Sequence, residues 1–282
     1  MRIGFIGLGK MGSALACNLI KGGNIVYLND LNTEAIHSVK KVGGEEIISQ
    51  EELASKIDIL FTSLPHPNNL LHLLVEKQLI EKMQKGTILI DVSTIDPNTA
   101  VKIQKETERH NVEFIACPLG KGPSEAQKGE TPLFVGGNQT TFNKIEGILK
   151  QIGNPFYLGE VEQSTAFKLI SNMIGMTNLL MLAEGIELAR KMGIDLMQFK
   201  SLLHDTGGDS AQLNLRAPLI LNDNYDPMFS IDLALKDVNL GVEMANLYNE
   251  KAKLSEITLK HLKEASKKGY GEEDCAAIAK TI

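Results

Sequence analysis

The sequence predicts an α/β fold, a doubly wound parallel sheet followed by an all-helical second half. Strand-like apolar runs alternate with helical stretches from residue 2 to about 158, and such alternation implies a mostly parallel sheet covered on both faces. Seven of the nine prolines lie at or before Pro155, and none falls between there and Pro218. Beyond Gly159 only helical spacing remains. The expected division is residues 1–160 and 161–282, with a tight joint near 158–162, because no flexible linker or low-complexity tract separates the halves.

Taken in order, residues 2–6 read as a short buried strand and Ser13 to Ile20 as a helix. Between them stands Gly7-Leu8-Gly9-Lys10-Met11-Gly12, a G-x-G-x-x-G in the strand–turn–helix setting that a Rossmann-type dinucleotide site requires. The first glycine allows the tight turn, the second lets a pyrophosphate approach the backbone, and the third lets helix pack on strand. A second strand, Ile25 to Asn29, ends in Asp30, 18 residues after Gly12. An acid there accepts hydrogen bonds from a ribose 2'-hydroxyl and repels a 2'-phosphate, which points to NAD rather than NADP.

The alternation continues through a strand at 57–64 ending at Pro65, a helix at 68–82, a strand at 87–92 and a helix through Arg109. Strands at 112–116 and 133–135, a helix at 141–151 and a short strand at 156–158 complete the half. Ligands of such a sheet sit beyond the carboxyl ends of its strands. Those ends carry Gly7 to Gly12, Asp30, Leu64-Pro65, Ser93-Thr94 and Pro118 to Gly122.

Composition narrows the function classes. The 282 residues carry a net charge of −6 with scattered lysines and arginines, which gives no footprint for nucleic acid. Cys17, Cys117 and Cys275 form no CxxC pair, so a reducing, cytoplasmic setting is expected. The amino terminus runs straight into the glycine motif without a secretory signal pattern, and no apolar run reaches membrane-spanning length without charge. His66, His72 and His204 have no ligand spacing with acids or cysteines, so no metal is expected.

In the helical half the first segment, about 162–192, is apolar on nearly all sides across Met173 to Ala183. A helix of that kind has to be buried all round. The helices after it, near 195–203, 213–221, 231–249 and 254–267, are too few to bury it, so a homodimer or homotetramer is expected. Near its start Lys168 and Asn172 stand four residues apart and share one face. An amine there can stabilise a developing alkoxide and deliver its proton, burial on an apolar helix would favour its neutral form, and an amide can hold substrate or amine without titrating.

These residues resemble the β-hydroxyacid dehydrogenase family over essentially the whole chain. The matching pieces are Phe5 to Gly12, Asp91-Val92-Ser93-Thr94, Gly136-Gly137, Lys168 with Asn172, and Phe229 with Lys236-Asp237. The resemblance implies oxidation of a short hydroxy acid, or reduction of the matching aldehyde acid, with a nicotinamide cofactor and no metal. By the same resemblance Lys168 is the catalytic lysine and Asn172 its partner, while Lys10, Met11, Asp30, Leu64, Thr94 and Lys236 touch cofactor. Imine reductases of this family usually lack the lysine.

The substrate loop departs from the family. Where many members read Asp-x-Pro-Val-Ser-Gly-Gly, this chain has Ala116-Cys117-Pro118-Leu119-Gly120-Lys121-Gly122. A side chain is lost at Gly120 and a cation gained at Lys121, which suggests a roomier anion pocket with a full positive charge. In this loop the chain is similar to the branch that reduces 3-sulfolactaldehyde, where Gly-Arg occupies these two positions and the arginine meets the sulfonate. Ser171 to Gly175 should form the pocket's other wall. Reductases of 3-hydroxyisobutyrate, tartronate semialdehyde or succinic semialdehyde type form the broader field, and a dinucleotide-binding sensor without turnover is the non-enzymatic alternative.

Overall fold

A computed structural model describes all 282 residues, and their backbone contacts form two compact units, 1–168 and 169–282. The first unit is built on an eight-stranded sheet in the order β3-β2-β1-β4-β5-β6-β7-β8. The strands are β1 (Arg2–Ile6), β2 (Ile25–Asn29), β3 (Glu45–Glu46), β4 (Ile59–Thr62), β5 (Ile88–Asp91), β6 (Glu113–Ala116), β7 (Thr131–Gly137) and β8 (Gly153–Tyr157). β1 to β6 are mutually parallel, as the apolar runs predict, whereas β7 pairs antiparallel with β6 and β8 parallel with β7.

Register aligns the ends that matter. Ile6 lies opposite both Asn29 and Thr62, Thr62 opposite Asp91, and Asp91 opposite Ala116. The segments that leave these residues therefore emerge along one edge of the sheet. The strand order reverses between β1 and β4, and there the connections diverge to leave a crevice.

Helices cover the faces: α1 (Lys10–Lys21), α2 (Thr33–Lys40), α3 (Gln50–Lys56), α4 (Pro67–Leu71), α5 (Leu79–Lys82), α6 (Pro97–Arg109), α7 (Pro123–Lys128) and α8 (Gln139–Ile152). One face buries Ile3, Phe5, Leu15, Leu19 and Leu149, and the other Leu53, Leu60, Leu74, Leu89 and Ile103. The single helix expected over 68–82 is broken. A π-helical turn at His72–Glu76 and a left-handed Gln78 separate α4 from α5, and a left-handed residue cannot continue a right-handed helix.

The second unit is helical. The long α9 (Val161–Lys191) starts in the first unit and continues into it. After it come α10 (Leu196–His204), α11 (Ala211–Leu215), α12 (Ala217–Leu221), α13 (Ile231–Leu247) and α14 (Lys253–Ala265), with a 3₁₀ turn at Cys275–Thr281. The helix expected over 213–221 is interrupted at Arg216, whose guanidinium pairs with the buried Asp274. That carboxylate also accepts from the backbone N–H groups of Met228 and Phe229 at 2.9 and 3.1 Å, fixing the loop ahead of α13.

The first turns of α9 are seated on the sheet. Ser164 is fully buried, and its hydroxyl lies 2.9 Å from the carbonyl of Phe134 on β7 and 3.2 Å from that of Ala116 at the end of β6. The approach needs glycine at 136, because a Cβ there would overlap the carbonyl of Glu160 and sit 2.6 Å from the Cβ of Ser164. Gly136→Ala is expected to lower unfolding stability by about 1–3 kcal/mol through overpacking, measured by urea denaturation; an unchanged midpoint would show that the helix yields without cost.

Candidate active site

The glycine loop closes on itself and opens to one side. Gly7 has φ 94°, and a Cβ on it would overlap the carbonyl of Ser63, while one on Gly12 would overlap the carbonyl of Gly7. A Cβ on the exposed Gly9 would meet nothing within 4 Å. α1 begins there with no side-chain cap and no acid in its first turn. A helix amino end with no acid in its own first turn, beside an open backbone, suits a pyrophosphate.

Asp30 stands at the end of β2 and accepts from the backbone N–H of Leu8 and, at 2.7 Å, from that of Asn32. Two backbone donors hold the carboxylate over the glycine loop, and its remaining lone pairs can take a ribose hydroxyl. The residues present therefore fit a dinucleotide at the carboxyl edge.

The next two strand ends are tied together by a carboxylate absent from the sequence-derived site. Asp91 is 1% exposed and accepts from Thr62 Oγ1 at 2.8 Å and Ser93 Oγ at 2.7 Å. Ser93 Oγ in turn accepts from the backbone N–H of Leu64 at 2.9 Å. Leu64 and Thr94 are thereby fixed at neighbouring strand ends, with Pro65 exposed beside them.

The substrate loop lies along β7: Gly120 N–H donates to the Pro132 carbonyl at 2.8 Å, and Phe134 N–H to the Pro118 carbonyl at 2.9 Å. Gly122 N–H donates to Glu125 at 3.3 Å. Lys121 is exposed with φ 58°, a region that glycine enters freely but other residues only at about 1–2 kcal/mol. The expected extra room at Gly120 is not found on its Cβ side, which is filled by Phe134 and Pro132 at 3.1 and 3.3 Å.

Lys168 follows Ser164 by four residues, one turn on from the seat at the ends of β6 and β7 and on the same side of α9. It is half-buried. Ser171, Asn172 and Gly175 lie in the part of α9 that belongs to the second unit. Within the second unit Asn172 Nδ2 donates to Asp237 Oδ2 at 2.5 Å, and Lys236 Nζ pairs with Asp237 Oδ1 at 2.8 Å. α9 and α13 approach closely here, since a Cβ on Gly241 would sit 2.7 Å from Met173 Cγ. Of the sequence-predicted residues, Gly7 to Gly12, Asp30, Leu64, Pro65, Thr94, Gly120 to Gly122 and Lys168 belong to the first unit, and Ser171, Asn172, Gly175 and Lys236 to the second. Asp91 and Asp237 were visible in the sequence only as parts of the Asp91-Val92-Ser93-Thr94 and Lys236-Asp237 pieces.

Fold and edge together define a nicotinamide-dinucleotide oxidoreductase. Residues 2–165 match the family model described as the NAD binding domain of 6-phosphogluconate dehydrogenase. Residues 163–282 match that described as the NAD-binding of NADP-dependent 3-hydroxyisobutyrate dehydrogenase. The chain belongs to the β-hydroxyacid dehydrogenase family and is an NAD(P)-dependent hydroxyacid dehydrogenase. It is 27% identical to the 2-(hydroxymethyl)glutarate dehydrogenase of Eubacterium barkeri, covering 99% of this chain and 94% of that one. It is 28% identical to the mitochondrial 3-hydroxyisobutyrate dehydrogenase of Drosophila melanogaster, covering 98% and 87%. A crystal structure of 3-hydroxyisobutyrate dehydrogenase from Salmonella typhimurium superposes with a TM-score of 0.91 at 23% identity, over all of both chains.

Burial disfavours the thiolate form of all three cysteines. Burial pushes the Cys117 thiol well up, with the charge of Asp91 adding to it, and burial pushes Cys275 up to about 12. The half-buried Cys17 is raised less because Lys21 opposes the effect. Titration with a disulfide reagent at pH 8 should modify Cys17 slowly in the native protein and the other two only on unfolding; labelling of Cys117 as fast as Cys17 would contradict this.

Proposed function

We propose that the protein interconverts a short anionic aldehyde and its hydroxy acid with NAD(H), with Lys168 as general acid and base. The observation that supports the reading is the seat of Ser164 on the ends of β6 and β7, because Lys168 follows it by one turn on the same helix face. Bound nicotinamide supplies or accepts the hydride. The ammonium of Lys168 stabilises the oxygen that gains negative charge and hands it a proton, and the neutral amine takes that proton back in the oxidative direction. Asn172, held by Asp237, presents a fixed amide one turn further along the helix. The names of the relatives, dehydrogenases of 3-hydroxyisobutyrate and 2-(hydroxymethyl)glutarate, support a hydroxy acid as substrate.

Within this class 3-sulfolactaldehyde is the sharpest assignment. Lys121 puts a full charge at the loop in place of a glycine and does so in a backbone region unfavourable to a lysine, and strain kept at a site of this kind favours a functional role. Initial rates with NADH against 3-sulfolactaldehyde, succinic semialdehyde, tartronate semialdehyde and methylmalonate semialdehyde test the assignment; equal kcat/KM on sulfonate and carboxylate aldehydes would remove it. On the best aldehyde Lys168→Ala should lower kcat by about 10²–10⁴-fold with NADH affinity kept. Tight NADH binding by the wild-type protein with no turnover of any aldehyde would favour the sensor, and undiminished turnover in Lys168→Ala would remove the lysine from the mechanism.

NAD is the proposed form of the cofactor, because the carboxylate of Asp30 would meet a 2'-phosphate with like charge. Asp30→Ala should therefore relax the preference toward NADPH, read as the ratio of the two kcat/KM values; an unchanged ratio would show that the ribose lies elsewhere.

A homo-oligomer is proposed as well. Phe167, Ile174, Met181 and Leu188 recur every seven residues on α9 and are 44%, 58%, 61% and 63% exposed. A heptad stripe of apolar side chains is the pattern by which one helix pairs with another, and a second copy of the chain brings the same stripe. Met181→Glu should shift the sedimentation equilibrium to monomer; an unchanged mass would place the interface elsewhere.

A further inference from the structure

The loop at 117–122 and the start of α9 are joined by one aromatic side chain that the sequence pattern did not single out. On β7 Leu133 and Val135 enter the core, whereas Pro132 and Phe134 point to the opposite face and stay half-buried. The Phe134 ring lies against Gly120, its Cζ 3.1 Å from where a Cβ would stand. On its other side it meets Phe167 edge-on, with centroids 4.7 Å apart and planes at 68°, and Phe167 directly precedes Lys168. The ring is thus wedged between Gly120 of the substrate loop and the helix that carries the amine.

We propose that Phe134 is a specificity-determining residue, which admits only substrates whose anion-bearing carbon is an unsubstituted CH2. The inference rests on the reading of 117–122 as the substrate loop and deepens it. A side chain at 120 would fill the space beside the anion with a polar group that could move. Glycine with the Phe134 ring fills it instead with a rigid wall of carbon and hydrogen that donates no hydrogen bond. The anion is then held by the Lys121 charge, and the carbon next to it packs against the ring. A methyl on that carbon has no room, and a hydroxyl would lose its water against an apolar face without gaining a partner. Exclusion of a single group by such a wall is worth about 10–200-fold in kcat/KM.

The test uses three acids that differ only at the carbon bearing the carboxylate: 3-hydroxypropanoate with hydrogen, 3-hydroxyisobutyrate with methyl and glycerate with hydroxyl. Each is measured with NAD as kcat/KM, or as an inhibition constant against the aldehyde turned over fastest. The wild-type chain should favour 3-hydroxypropanoate by about tenfold or more, and Phe134→Ala should bring the three toward parity with NAD affinity and melting temperature kept. Should Phe134→Ala melt early, Phe134→Leu should show the same trend in smaller measure. Gly120→Ser should weaken all three acids in the wild-type background and be rescued by Phe134→Ala. No discrimination by the wild type, or an equal factor on all three acids in Phe134→Ala, overturns the proposal. If Lys121→Ala leaves every KM unchanged, the loop does not hold the anion, and the substrate reading falls together with the inference. A retained Lys121 effect with equal scaling in Phe134→Ala overturns the inference alone.

Discussion

The site depends on one seat: the Ser164 hydroxyl against the carbonyls of Phe134 and Ala116, permitted by the missing side chain at Gly136. A helix can present an amine at a chosen point only if its axis and rotation are fixed upstream of it. Here both are fixed four residues before Lys168, by a buried hydroxyl with little alternative, since leaving it without an acceptor would cost about 1–3 kcal/mol. The antiparallel β7 has a part in this, because its reversal brings the Phe134 carbonyl and the two glycines 136 and 137 beside the end of β6.

Buried carboxylates organise the rest. Asp91 joins the ends of β4 and β5 through Thr62, Ser93 and the Leu64 N–H, Asp237 joins α13 to the amide of Asn172, and Asp274 holds the loop before α13 through Met228, Phe229 and Arg216. Asp237 fixes a contact between two helices, whereas Asp91 and Asp274 lie where irregular backbone has to keep one shape. A charged acceptor out of water makes stronger hydrogen bonds than a neutral one and is costly to leave unmatched, so these acids penalise alternative loop arrangements. Asp30 does similar work closer to the surface, holding the glycine loop through Leu8 while keeping lone pairs for a ligand.

Much of the first unit was legible in the sequence because parallel strands buried on both faces leave continuous apolar runs, and the glycine motif fixes its own turn. The positions of β1, β2 and β4 to β6 along the chain followed from those runs, and the long helix beginning near 162 from its period. The breaks were not legible. Gln78 is left-handed between α4 and α5, a backbone turn that apolar periodicity does not signal, and Arg216 turns inward to Asp274, 58 positions further along the chain, a partner too distant for any local pattern to show. The reversal of β7 was hidden because a short apolar run does not by itself show the direction of the strand beside it. At the site, Gly120 was read as vacated space, since spacing alone does not reveal that Phe134, 14 residues on, has moved into it. Asp237 was legible only as a neighbour of Lys236, because its partner Asn172 lies 65 residues away.

That an amine at one position of α9 transfers the proton is the claim on which the enzymatic account stands, and chemical rescue tests it most directly. With Lys168→Ala, the rate of NADH-dependent aldehyde reduction should rise with added ethylammonium and follow the acidity of a series of small amines, while NADH binding stays constant. A truncated enzyme already at wild-type rate, or one indifferent to every amine, would contradict the account.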